Sequence, residues 1–202
     1  VLTRGDAEGL PLLEQAQQLS GTLRLTDEHL TIERLEGVSL ETPWVVEGKA
    51  HVVPSLEGEL LLTSTVDLDT AAQRWEALRA WQPQGSAQVR VIYRGAFKDW
   101  PAAELMAEAQ LHDAALTLPG SPHRCEPLTG RAQYDHLTNR LAIESLACSI
   151  AGEPVELTAT LTDLGGTPRV VAEARLPAPA GGPGASGTAK FAGTWQPQHV
   201  EV

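Results

Sequence analysis

The sequence predicts an all-β fold, an antiparallel sheet with minor helices. Three observations predict it. Short runs alternate apolar with polar residues, close turns separate them, and one strand pair recurs later in the chain. Period-two alternation places one set of side chains on each face of a strand. Turns this close leave no room for the crossover helices of a parallel sheet.

The elements follow in chain order. Residues 11–19 are rich in Leu, Glu, Gln and Ala, with Pro11 at the start and Ser20-Gly21 beyond, so they read as a short helix. Leu23 and Leu25 alternate with Thr22, Arg24 and Thr26, and Leu30 and Ile32 with Thr31 and Glu33. Trp44, Val46, Gly48, Ala50 and Val52 share one face of the next run, and Leu60 and Leu62 continue the pattern. Thr70 to Trp81 reads as a second helix: Ala71, Trp75 and Leu78 fall at i, i+4 and i+7, Thr70 is a candidate N-cap, and Pro83 lies just beyond. Val89, Val91 and Tyr93 resume the alternation.

Residues 103–111 consist of helix formers. Yet Ala103, Leu105, Ala107, Ala109 and Leu111 alternate strictly with Glu104, Met106, Glu108 and Gln110. Packing overrides propensity in such a conflict, so this segment is read as strand. Further strands follow at Leu141 and Ile143, at Leu157, Ala159 and Leu161, and from Val170 through Ala172 and Ala174. Residues 177–187 have the Pro, Ala and Gly composition of a flexible linker, and Lys190 to Val202 reads as a further strand or a tail.

Leu30-Thr31-Ile32-Glu33-Arg34-Leu35 matches Leu141-Ala142-Ile143-Glu144-Ser145-Leu146, and Pro43 matches Pro154 at the same offset. A unit that cannot bury its own apolar face grows by adding neighbours.

Composition bounds the function. With 15 Lys+Arg against 26 Asp+Glu the formal net charge is −11, which disfavours nucleic acid and anionic membrane surfaces. No apolar run is long enough for a transmembrane helix, no signal peptide is evident, and the first residue is Val1, so the expectation is a mature chain or a piece of a longer one. Cys125 and Cys148, the two cysteines, are compatible with one disulfide in an oxidising compartment or with two small buried side chains. No metal-ligand spacing, phosphate loop or nucleophile elbow is present. His112, Asp113, His123 and Cys125 read as turn residues rather than a metal cluster, and Glu33 and Glu144 as solvated positions rather than an acid/base pair. The expectation is a protein without catalytic residues, cofactor or metal.

The stretch from Leu111 to Leu161 carries a resemblance. It contains Asp113-Ala114-Ala115-Leu116-Thr117-Leu118-Pro119, Pro127-Leu128-Thr129-Gly130 leading to Tyr134-Asp135, Leu141-Ala142-Ile143-Glu144, and Gly152-Glu153-Pro154-Val155-Glu156-Leu157. This resembles the repeat of the AsmA-like superfamily of TamB- and YhdP-type envelope proteins. Gly21 through Gly48 looks like a second copy, and the similarity covers about residues 20–176. Cys148 departs from the pattern, standing where Ala or Gly is usual, and the helix near 70–81 is a local feature.

The resemblance implies two repeat units, about 20–69 and 85–176, followed by a linker and tail over 177–202. It implies a curved, U-shaped sheet with an apolar inner face, in a periplasmic segment of a protein anchored in the inner membrane. It implies phospholipid transport between membranes, or outer-membrane biogenesis, without catalysis. The expected lining is Leu23, Leu25, Leu30, Ile32, Val46 and Val52, with Leu60, Leu62, Val89 and Val91, then Leu111, Leu116, Leu118 and Tyr134, and finally Leu141, Ile143, Leu157 and Leu161. The expected partner is a phospholipid or other acyl-chain lipid. The alternative is an interaction module that binds another envelope protein, or a second copy, through a sheet edge.

Overall fold

The computed structural model describes residues 17–39, 41–53, 55–118, 122–164, 166–176 and 186–194. Eleven strands form an antiparallel sheet and pair in strict sequence order. They are β1 (Gln17–Leu25), β2 (His29–Ser39), β3 (Thr42–His51), β4 (Glu57–Asp67), β5 (Gln84–Ala96), β6 (Glu104–Thr117), β7 (Arg124–Asp135), β8 (Arg140–Ile150), β9 (Glu153–Thr162), β10 (Arg169–Leu176) and β11 (Gly187–Thr194). Two short helices, α1 (Leu68–Arg74) and α2 (Glu76–Arg79), and a 3-10 turn (Trp100–Ala102) complete the described chain. The fold class is the expected one, and of residues 103–111 all but Ala103, which caps the 3-10 turn, enter strand β6.

Two details differ. Gln17, Gln18 and Leu19 begin β1, so the helix expected over 11–19 does not extend to them, and residues 11–16 lie outside the described residues. Gln17 pairs with Val38 and Ser20 with Glu36, so the segment is bracketed by a ladder that a lone helical turn lacks. The second helix is also broken. Trp75 is extended (φ −105°, ψ 107°) between α1 and α2, and is 58% exposed, so it does not join Ala71 on a buried face. Gly187, expected at the end of the linker, and Lys190, expected to open a further strand or a tail, both lie in strand β11, while residues 177–185 of the expected linker and 195–202 of the expected strand or tail lie outside the described residues.

The chain divides into two compact units, Val1–Asp67 with Gln88–Ala107, and Leu68–Ala87 with Glu108–Val202. The sequence repeat is a repeat of hydrogen-bond register. Adding 111 to the β2–β3 partners Leu30↔Ala50, Ile32↔Gly48, Leu35↔Val46 and Val38↔Pro43 yields the β8–β9 partners Leu141↔Leu161, Ile143↔Ala159, Leu146↔Leu157 and Ser149↔Pro154. The register also shifts at the same place in both copies, between Ile32 and Leu35 and between Ile143 and Leu146. Each shift is a bulge: Glu33-Arg34 and Glu144-Ser145 are two consecutive exposed residues inside a strand. A glycine stands opposite the far side of each bulge, Gly21 against Leu35 and Gly130 against Leu146. A Cβ at either glycine would collide with the backbone of the bulged strand.

The copies diverge two positions beyond these leucines, at Gly37 and Cys148. In the first, the Trp44 indole lies over Gly37, and its Nε1 donates to Ser39 Oγ at 2.9 Å. In the second, Cys148 stands where Gly37 does and is joined to Cys125 by a disulfide. The alternative left open by the sequence is therefore resolved in favour of the bond. Cys125, Leu128 and Ala114 form the core cluster there, with Leu68, Leu146 and Ile150 packed against it.

Two predictions follow from this architecture. The disulfide closes a loop with a sequence separation of 23 residues, and constraining the unfolded chain by that much contributes about 3 kcal/mol. Cys125→Ser with Cys148→Ser is expected to lower the unfolding free energy by that amount in a urea titration. The β7–β8 turn depends on Asp135, whose carboxylate accepts from Thr138 Oγ1 at 2.7 Å and from the N–H groups of Leu137 and Thr138 at 3.0 and 3.3 Å. The Thr138 hydroxyl bond first, then these N–H groups, hold the Asp135 carboxyl below its usual value. A lowered carboxylate stabilises the fold above the ordinary aspartate value of about 4 and loses that contribution as pH falls through its lowered value. The melting-temperature difference between wild type and Asp135→Asn should be full near neutrality and shrink toward zero on acidification below about pH 4.

Candidate functional site: the apolar faces

In each unit the cross-strand partners sort the side chains into one apolar and one charged face. In the first unit Leu23 stands opposite Ile32, Leu25 opposite Leu30, Leu35 opposite Val46, and Val46 in turn opposite Leu62. Gly48 stands opposite Leu60. The other face carries Arg24, Glu33, Arg34, Glu47 and Glu59, laced by ion pairs such as Arg24–Glu33 at 3.1 Å and Arg34–Glu47 at 3.9 Å.

The β5 side chains are placed by the same logic. Arg94 on β5 donates to Glu59 of β4 at 2.9 Å and to Glu104 of β6 at 3.2 Å, which sets the even-numbered residues of β5 on the charged face. Val89, Val91 and Tyr93 therefore project from the apolar side. The Tyr93 ring stacks on Phe97 with centroids 5.1 Å apart, and its hydroxyl donates to the Ala96 carbonyl. Burial, and then the Asp99 carboxylate, push the Tyr93 phenol above its usual value. Val52 lies just past β3, its N–H bonded to the Glu28 carbonyl.

In the second unit Tyr134 stands opposite Leu141, and Leu141 opposite Leu161. Ile143 stands opposite Ala159, and Leu157 opposite Ala174. Leu111 and Leu116 are five residues apart and would leave a regular strand on opposite faces. Asp113 between them adopts φ 50°, and both leucines pack on the same core cluster. Leu118, at the end of this segment, is half-buried and pairs its N–H with the His123 carbonyl.

The exposure of these faces decides what they can do. Among the described residues eight of the twelve buried apolar residues are alanines, and no large side chain is fully buried. The large aliphatic residues expected as lining are mostly half-buried, with Leu25 at 69% exposure and Leu161 at 7% as the extremes. A closed two-layer core would bury them. Each unit instead holds a row of Leu, Ile and Val side chains that are mostly but not wholly buried, and in the second unit Leu68 of α1 packs on the core cluster beside Leu111, Leu116 and Leu146.

Sequence alternation missed Leu35 and Leu146 because the bulges break the period at those points. The signal was available: in both copies two polar residues in a row stand between Ile and Leu inside an otherwise alternating strand. Leu128 was missed for a similar reason, since the register of β7 shifts between Cys125 and Thr129. Among the described residues no group of three His, Cys, Asp or Glu is gathered to hold a metal, and the Cys125 sulfur is committed to its disulfide. No helix among them is long and apolar enough to cross a membrane.

The contrast between packed and half-exposed leucines is measurable. Leu128 is 3% exposed, and Leu128→Ala is expected to cost about 2–5 kcal/mol in chemical denaturation. Leu62→Ala, at a half-buried position, should cost clearly less, and equal losses would mean that the face is a closed core. No protein-family model, curated protein or solved structure matches this chain.

Proposed function

We propose that this protein is a non-catalytic, lipid-handling segment of an AsmA-like envelope protein, with the apolar face of its sheet as the surface on which acyl chains lie. The observation that carries the reading is the row of incompletely buried Leu, Ile and Val side chains in register across neighbouring strands of each unit. Taking an acyl chain out of water on such a surface contributes about 0.8 kcal/mol per CH₂ buried. The surface is mostly aliphatic, with the Tyr93 hydroxyl committed to the Ala96 carbonyl, so a chain displaced by a methylene or two meets much the same chemistry. That suits passage along the sheet better than tight binding of one ligand. The charged opposite face, with its Arg–Glu pairs, keeps such a sheet in water. The disulfide favours an oxidising compartment, in keeping with a periplasmic location.

A second reading rests on a different observation. Among the described residues β1 and β11 end the strand order and each has one neighbour, and an exposed edge is a template for strand addition. In that reading the segment is an interaction module for another envelope protein.

Native mass spectrometry of gently purified protein, with lipid extraction, tests the first reading. Near-stoichiometric phospholipid or fatty acid is expected, and Leu62→Asp or Ile143→Asp should abolish it without unfolding the protein. A lipid-free wild type that also takes up no fluorescent fatty acid would sink the lipid reading.

A further inference from the structure

The two ends of the strand order are not alike. β1 is blunted. Gln18 has a left-handed backbone (φ 56°), and the β1–β2 register shifts twice, between Gln17 and Ser20 and between Thr22 and Leu23. Bulges of this kind twist an edge away from further pairing. β11 has no such device. Its eight residues pair with β10 from Arg169↔Thr194 to Leu176↔Gly187 without a shift. It contains no proline, and Lys190 is its one charged residue. Phe191 stands beside the edge at 59% exposure.

A comparison with β5 indicates what the edge lacks. β11 follows β10 as β5 follows β4. On β5 the cation Arg94 is held from both sides, by Glu59 of β4 at 2.9 Å and by Glu104 of β6 at 3.2 Å. On β11 the cation Lys190 is held from the β10 side by Glu173 at 3.5 Å, and its side chain is 76% exposed. The strand that supplies the second carboxylate to Arg94 is of a particular kind: along β6, Glu104 and Glu108 alternate with Leu105, Ala107 and Ala109.

We propose that the outer edge of β11 is a strand-addition site for an extended segment of another polypeptide in which apolar residues alternate with carboxylates, one of them reaching Lys190. The inference rests on the second reading above and deepens it by naming the edge and the chemistry of the partner. An added strand would satisfy the open backbone groups of β11 and shield Phe191. It would also place a carboxylate beside Lys190, where opposite charges on adjacent strands attract and like charges repel.

A labelled synthetic peptide with the sequence of residues 103–111 is the probe, measured by fluorescence polarisation against the full chain. Its counterpart carries Glu104→Lys and Glu108→Lys. The acidic peptide is expected to bind at least about fivefold tighter than the lysine peptide. Lys190→Glu, a change at an exposed position, should reverse that preference. Hydrogen exchange with the acidic peptide bound should slow at the amides of residues 187–194. Equal binding of the two peptides, or a preference unmoved by Lys190→Glu, overturns the proposal. Protection at β1 in place of β11 overturns it while keeping the strand-addition reading. Protection at neither edge overturns both.

Discussion

The hydrogen-bond register of the antiparallel ladder holds the rest of this structure in place. In a strand with period two, a slip of one residue sends every apolar side chain to the other face. Here that register is pinned twice by the same device. A two-residue bulge in β2 and another in β8 absorb one residue each, so that Leu35 stays with Ile32 and Leu146 with Ile143. The glycines opposite, Gly21 and Gly130, leave the room that the bulged strand occupies. Replacing either glycine would push the strands apart where the alternation is being reset.

Packing adds little beyond this ladder. Among the described residues the buried apolar side chains are mostly alanines, on strands and on α1 alike. The two copies reinforce one corresponding position differently. The first lays an indole over Gly37 and ties it to Ser39, and the second replaces Gly37 by Cys148 and bonds it to Cys125. A covalent link suits a unit whose apolar side chains are incompletely buried, since it stabilises by restricting the unfolded chain rather than by adding contacts.

The two surfaces offered to partners differ in kind. In the proposed reading the apolar faces would recognise by burial alone, which is non-directional and insensitive to position along a row of Leu, Ile and Val. The edge of β11 would recognise through backbone hydrogen bonds, which demand an extended partner in one register, and through the charge of Lys190. The two proposed modes would use different atoms, side chains of the face in one and backbone of the edge in the other.

Much of the fold was legible in the sequence because alternation is a local property. Leu60 and Leu62, Leu141 and Ile143, and the contested residues 103–111 all declare their faces within a few positions. The repeat was legible too, in the match of Leu30–Leu35 with Leu141–Leu146. Three things were decided only by tertiary structure. The helix after β4 breaks at Trp75, because an exposed indole gains nothing by continuing the helical face that Ala71 and Ala72 bury. Leu35, Leu128 and Leu146 join the apolar face through register shifts, and a shift is a relation between two strands that neither contains alone. The disulfide was settled by distance: Cys125 and Cys148, 23 residues apart in sequence, come to a Cα separation of 5.5 Å on neighbouring strands. The sequence by itself determined which residues are greasy and with what period. Only the ladder decided which of them share a face and how much water they keep.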